Sequence, residues 1–352
     1  AEEARRQVGK ADGLLGEPPL TLLLKAQAAQ LNGDERAAES FFIAMLDDPE
    51  MEFLGLRGLF NQAMKRGDDK AALALAHRAQ ALNSKSVWVT EATFQLEART
   101  GDWQKAGETL KRVGKLTDMT QGAQRHRRAL TLLGQSVAAE KTGKADEALR
   151  LAQKAVSEDL SLIPAAAHLA RLLLARGSLR KAKSVLEKTW SIQSHPDLMT
   201  LYFEACGAEE GLKKVGAAQK LLELNPSSAD SQITMAVAAL EAQLWGQART
   251  HLQAALEAGR TTRTVYTLLA RLEEEDAAGK GRGDREQAHM WLALAASAAA
   301  DPAWVCDHCG HVDAHWAPHC PKCGGFDSFT WTTPSSAPAL AVADVGVLKL
   351  PA

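Results

Sequence analysis

The sequence predicts an all-α chain of repeated helical hairpins, closed at its C-terminal end by a small cysteine module. Three observations carry this prediction. The turn pattern Gly33-Asp34…Ala38 returns at Gly67-Asp68…Ala72 and at Gly101-Asp102…Ala106, a period of 34 residues. Alanine and leucine dominate the 352 residues while aromatics make up 5%, a balance that favours helices over sheets. Cys306, Cys309, Cys320 and Cys323 then form two Cys-x-x-Cys pairs where the helical pattern has stopped.

The first residues already obey the period. Counting 34 back from Ala38 reaches Ala4, and back from Met45 reaches Ala11, so residues 2–15 read as the second helix of a hairpin whose first helix is missing. Natural arrays end on polar capping helices, so the expectation is a piece of a protein that continues N-terminally. Eight helix pairs follow, at 20–48, 52–83, 86–116, 124–158, 162–192, 196–224, 229–258 and 262–300. In each turn a glycine accepts the left-handed conformation that ends the first helix, and a nearby Asp caps the second. The small residue after it lets the two helices approach. Gly143…Ala148 and Gly177…Ala182 resume the spacing after an insertion of eight residues. Later the register loosens, with Gly216 standing at the alanine position, then Ala248 and Ala288. A second small residue seven positions on, as at Ala79, Ala155, Ala255 and Ala295, continues that face.

Such a helix–turn–helix unit resembles the tetratricopeptide repeat, although the tryptophan and tyrosine positions of that pattern match poorly. Arrays of this type curl into a superhelix whose concave groove holds a peptide or a partner's helix. The expected partition is a tetratricopeptide-like array over 1–300, a four-cysteine zinc ribbon over 301–332 and a Pro/Ser/Ala-rich tail over 333–352.

In the module, Pro302 breaks the helix, and Trp304, Val305 and Val312 predict short strands. Gly310 and Gly324 follow the two cysteine pairs and allow tight turns that aim backbone amides at the sulfurs. Two such pairs close around one tetrahedral metal, and four thiolates leave no position open for water, which predicts a structural role. A module of this size buries too little apolar surface to fold alone. Zinc binding worth about 10–16 kcal/mol at neutral pH offsets that deficit. Zinc is the expected metal, with iron in a rubredoxin-like site as the alternative. His308, His311, His315 and His319 lie close enough to serve as ligands but are not needed. Trp304, Trp316, Phe326, Phe329 and Trp331 supply a small core or a contact with the last helices. Cys206 stands alone and reads as a small buried apolar residue. Cysteines gathered in one cluster point to a reducing compartment rather than a secreted disulfide framework.

Other classes are excluded or weakened. The chain has 41 Lys and Arg against 43 Asp and Glu, without the surplus of a nucleic-acid binder. Asp307, Asp313 and Asp327 against Lys322 make the module acidic as well, so no nucleic-acid partner is expected. No run of 18 apolar residues is present, so the chain has no membrane span of its own. Arg125-His126-Arg127-Arg128, with Lys111, Arg112 and Lys115 before it, is the densest basic stretch, either a solvated helix face or a site for an anionic partner. Gly279-Lys280-Gly281-Arg282-Gly283-Asp284 lacks the order of a phosphate loop and reads as a flexible repeat turn. His77, His126, His168, His195, His251 and His289 show no ligand spacing, and no nucleophile motif is present. No catalytic residue is predicted, and the chain reads as non-enzymatic.

Particular segments resemble a known family. Asp301-Pro302-Ala303-Trp304-Val305-Cys306, Trp316-Ala317-Pro318-His319-Cys320-Pro321 and Phe326-Asp327-Ser328-Phe329-Thr330-Trp331 are similar to the C-terminal end of alphaproteobacterial HemY proteins. Pro18-Pro19-Leu20-Thr21-Leu22-Leu23, Glu52-Phe53-Leu54-Gly55-Leu56-Arg57-Gly58-Leu59 and Leu244-Trp245-Gly246-Gln247-Ala248-Arg249 agree as well. The resemblance implies an inner-membrane protein with two N-terminal transmembrane helices, absent from this chain, and a soluble repeat part facing the cytoplasm. It implies a scaffold for late haem (protohaem) biosynthesis enzymes, with haem or porphyrin handover as a further expectation and no catalytic step of its own. Many of those relatives lack the cysteines, which makes the metal an accessory. The same plan resembles the lipopolysaccharide-assembly protein LapB, an adaptor controlling proteolysis whose rubredoxin-like module packs against its repeats.

Overall fold

The computed structural model describes residues 19–279, 281 and 283–334. The half repeat read at residues 2–15 and the tail from residue 335 lie outside the described residues. The chain divides into two compact units, one ending at Ala138 and the other beginning at Ala139.

The first unit holds α1 (Pro19–Leu31), α2 (Glu35–Ala44), α3 (Glu52–Lys65), α4 (Asp69–Leu82), α5 (Val87–Arg99), α6 (Trp103–Leu116) and most of α7 (Gln121–Lys141). Its hairpin turns follow the sequence reading closely. Gly33, Gly67 and Gly101 have φ of 75°, 69° and 83°, the left-handed conformation that a glycine adopts without a steric penalty. Asp34 and Asp68 each accept a hydrogen bond from the third backbone N–H of the next helix at 3.0 Å, and Asp102 does so at 3.3 Å. Ala38, Ala72 and Ala106 are fully buried at the close approach of paired helices. Gly58 serves the same end. A Cβ on it would come within 2.3 Å of the Phe42 ring, so α3 can lie against α2 only with glycine there.

The second unit continues with α8 (Ala145–Glu158), α9 (Ile163–Ala175), α10 (Leu179–Ile192), α11 (Pro196–Cys206), α12 (Gly211–Leu224), α13 (Ala229–Glu241), α14 (Trp245–Glu257), α15 (Arg263–Ala278) and α16 (Arg285–Ser297). Ala148, Ala182 and Ala248 are again fully buried, and Trp190 fills the space between pairs while its indole N–H donates to Ser231 Oγ at 3.0 Å. Helices are present over each of the eight expected pairs of segments, and the fold is that of tetratricopeptide-like helical hairpins followed by a small C-terminal module.

Two details differ from the sequence reading. Gly216 is not the packing residue of α12. Nothing lies within 4 Å of where its Cβ would be, and α12 buries Ala218 and Leu221 instead. Cys206 is only half-buried, at the end of α11. Beyond α15, Gly283 and Asp284 lie close against that helix. A Cβ on Gly283 would fall 2.3 Å from the Glu273 carbonyl, and the Asp284 N–H donates to the Glu273 carboxylate at 3.1 Å. Arg249 clamps that carboxylate at 3.0 Å and Asp276 at 3.3 Å.

The module is a three-stranded antiparallel sheet of β1 (Ala303–Cys306), β2 (Val312–Asp313) and β3 (Phe329–Thr332), in the order β2-β1-β3. Trp304 pairs with Asp313 on one side and with Trp331 on the other.

Candidate metal centre

Two turns of near-identical construction present the four cysteines. The Gly310 N–H donates to the Cys306 carbonyl, and the Gly324 N–H to the Cys320 carbonyl, both at 2.8 Å. Gly310 and Gly324 have φ of 66° and 71°, which turns each chain back. The Cys306 N–H then meets the His311 carbonyl at 2.8 Å and the Cys320 N–H meets the Gly325 carbonyl at 2.9 Å.

This construction brings the four Sγ atoms of Cys306, Cys309, Cys320 and Cys323 within 4.8 Å of one another. Across the turns, Cys306 and Cys323 lie 3.7 Å apart, as do Cys309 and Cys320. A zinc–sulfur bond of about 2.3 Å puts the edge of a tetrahedron of sulfurs at about 3.8 Å, so the donor set fits one four-coordinate ion. His308, His311, His315 and His319 are not part of the cluster. The His308 ring instead fills the space above Gly325, where a Cβ would lie 2.5 Å from its Nδ1.

The thiols hold their protons unequally. Burial opposes ionisation of Cys306, but the Ser328 hydroxyl, 3.3 Å from its sulfur, and the amides of Cys309 and His308 hold its pKa down to about 6. Burial pushes Cys323 up to about 12 despite the Gly325 amide, with the neighbouring sulfurs adding to the rise. Burial likewise raises Cys309. One thiolate is favoured and further ones repel it, the arrangement that a bound dication relieves.

The module's outer face is covered by the array. His195, 1% exposed in the turn between α10 and α11, lies 4.1 Å from the Trp331 ring and 5.3 Å from that of Trp304, centroid to centroid. Its Nδ1 accepts the Asp197 N–H at 3.1 Å and so caps α11. Burial lowers the His195 pKa against the pull of Asp197 and Asp230, so the imidazole is neutral. The entry to β1 is tied separately to α15. The Arg263 N–H donates to the Ala299 carbonyl at 3.1 Å, and Thr264 Oγ1 donates to Asp301 at 2.8 Å. Trp304 and Trp331 thus rest on a turn well before the module in sequence, not on the last helices alone. Sequence reasoning passed over His195. Its place before Pro196 marks a helix start, but nothing local signals which rings it meets.

Two of the other isolated histidines have partners within the array. His77 lies 3.3 Å from Glu97, and His251 Nδ1 lies 2.8 Å from Gln232. Arg127 of the basic stretch grips both carboxylate oxygens of Glu91, at 2.8 and 2.9 Å.

Fold and site together define a tetratricopeptide-type repeat protein with a terminal four-cysteine module. No protein-family model matches the chain. Over 247 residues it is 30% identical to the "Probable magnetosome protein Mms48" of Magnetospirillum gryphiswaldense, covering 68% of this chain and 52% of that protein. The chain therefore spans about half the length of this curated relative. Among solved structures, a tetratricopeptide repeat protein from Parabacteroides merdae is similar over 73% of this chain and 99% of its own, at 17% identity and a TM-score of 0.34. MamA from AMB-1 is similar over 48% of this chain and 91% of its own, at 18% identity and a TM-score of 0.30.

The bacterial inner-membrane location, with a soluble part facing the cytoplasm, that the HemY resemblance implied is corrected by these findings. Among the described residues no helix is long and apolar enough to cross a membrane. Even α7, at 21 residues, carries Arg125, Arg127, Arg128, Glu140 and Lys141. The curated relative bears the name of a magnetosome protein.

Proposed function

We propose that the chain is a non-enzymatic interaction scaffold whose helix pairs receive protein partners. A structural zinc ion held by Cys306, Cys309, Cys320 and Cys323 folds the module that braces its C-terminal end. The observation that carries this reading is the docking of the module: four sulfurs lie within 4.8 Å of one another, and His195 packs on the rings of Trp304 and Trp331. A closed donor set of this kind braces structure and offers substrate no open position. Elemental analysis of the purified chain should give one zinc per chain. Iron with a thiolate-to-metal visible band would replace zinc in the proposal, and no bound metal would remove the brace.

The assembly served is proposed from the relative. An alignment over 247 residues with a probable magnetosome protein favours a scaffold at such an assembly over one that gathers late haem-biosynthesis enzymes, which rests on shorter segments. Affinity purification from the source cells decides between them. Organelle-associated proteins in the eluate support the first reading. Late haem-biosynthesis enzymes support the second, and neither set would leave both without partners. The docking of the module on the repeats also fits a LapB-like adaptor, which a changed level of a lipopolysaccharide-synthesis enzyme on deletion would select.

A further inference from the structure

The eight residues added to the 34-residue period lengthen α7 to 21 residues against 13 in α5. Between α6 and α7 lies a cavity of about 510 Å³, within the size range of ligand sites. Leu110, Met119 and Leu132 supply its apolar surface. Lys111, Lys115 and Arg128 stand around it against the single carboxylate of Glu108. Two glycines keep it open. A Cβ on Gly107 would press to 3.0 Å from Gln135, and one on Gly114 would sit 3.6 Å from Gln124. The end of α6 nearer the hairpin turn is pinned to α7, because the Trp103 ring occupies the space that a side chain on Gly134 would need.

The polar groups are arranged for a peptide. Gln124 Nε2 donates to the Met119 carbonyl at 3.1 Å, and Gln135 Nε2 donates to the Trp103 carbonyl at 2.9 Å. One N–H of each carboxamide is thus engaged within the chain, which orients the carboxamide oxygens as acceptors for a ligand's N–H groups. Lys111 and Lys115 are exposed and make no ion pair among the described residues, whereas Arg127 of the same basic stretch is committed to Glu91. A lipid chain would use neither the acceptors nor their spacing.

We propose that this cavity binds an acidic segment of a partner protein. An apolar side chain of the segment sits on Leu110, Met119 and Leu132, flanking carboxylates meet Lys111 and Lys115, and backbone N–H groups meet Gln124 and Gln135. The proposal rests on the scaffold reading and names one of its docking sites, between the second helix of one pair and the first of the next.

The test is selection of displayed random short peptides on the full chain, followed by affinity measurement of the enriched peptides. Acidic peptides carrying at least one large apolar residue should be enriched. Lys111→Glu combined with Lys115→Glu should weaken them about tenfold or more, since each tenfold needs only ~1.4 kcal/mol. Gly114→Leu, which fills the cavity without altering its charge, should weaken them comparably with helical circular dichroism unchanged. Failure to enrich acidic peptides, or binding that neither variant alters, would overturn the proposal. So would charge-dependent binding of phosphatidylglycerol vesicles with no such binding of peptides. Peptides that bind tightly yet ignore both variants would sink this site and leave the scaffold reading standing.

Discussion

In the array, Ala38, Ala72, Ala106, Ala148, Ala182 and Ala248 are each fully buried, one small residue in the second helix of each of six expected pairs. In the module, Cys306 and Cys320 are themselves among the four most buried apolar residues, beside Trp304 and Phe329. The array spreads its stability over many small contacts, as nearest-neighbour repeats do. On the proposed reading the module concentrates its stability in four sulfurs and their metal, because a sheet of three short strands encloses too little apolar surface. The difference teaches where each region is vulnerable: the array to a lost core side chain, the module to a lost ligand.

The largest effect should come from the module. Cys320→Ser should abolish metal binding, forfeiting much of the ~10–16 kcal/mol that a structural zinc supplies, and unfold residues 301–332. Helical circular dichroism should stay nearly unchanged; a global loss of helix would show the two regions to be inseparable. Next comes the array. Trp190→Ala removes a fully buried ring and its hydrogen bond to Ser231, and should cost about 3–5 kcal/mol in denaturant unfolding while metal content stays the same.

Smaller effects belong to the contact between the regions. His195→Ala should loosen docking by about 1 kcal/mol, read as increased exposure of Trp304 and Trp331 in fluorescence quenching. The same contact should respond to pH. Burial depresses the His195 pKa against Asp197, 3.7 Å away, and Asp230, so the docked ring resists a proton that the undocked ring accepts below about pH 6.5. Docking should therefore be complete above that pH and weaken as pH falls below it. His195→Phe should remove the dependence, with metal content measured alongside to separate it from protonation of the thiolates. The smallest effect is a gain. Gly216→Ala should stabilise the second unit by up to about 1 kcal/mol, because the site is open and glycine is a poor helix former.

The parts legible in sequence were those written in local spacing. Gly33, Gly67 and Gly101 fix turns, Asp34, Asp68 and Asp102 cap helices, and the alanine register gives the packing face; each depends on a few adjacent residues. The cysteine pairs were legible for the same reason, since each turn is closed by the glycine that follows it. What local spacing could not show was anything joining distant segments. His195 meeting Trp304 and Trp331 depends on how several hairpins stack, and the cavity beside α6 depends on how α7 packs against it. Gly216 misled because its position in the count was right but the register of α12 had shifted, burying Ala218 instead.

The central claim is that the array stands by itself while the module is held by its metal and rests on His195. Hydrogen exchange of the full chain, followed by mass spectrometry before and after removal of metal with a chelator, tests it directly. The account predicts that protection is lost across residues 301–332 and at the turn around His195, with the buried faces of α9, α10, α13 and α14 unchanged. Loss of protection throughout those helices, or a module that stays protected without metal, would contradict it.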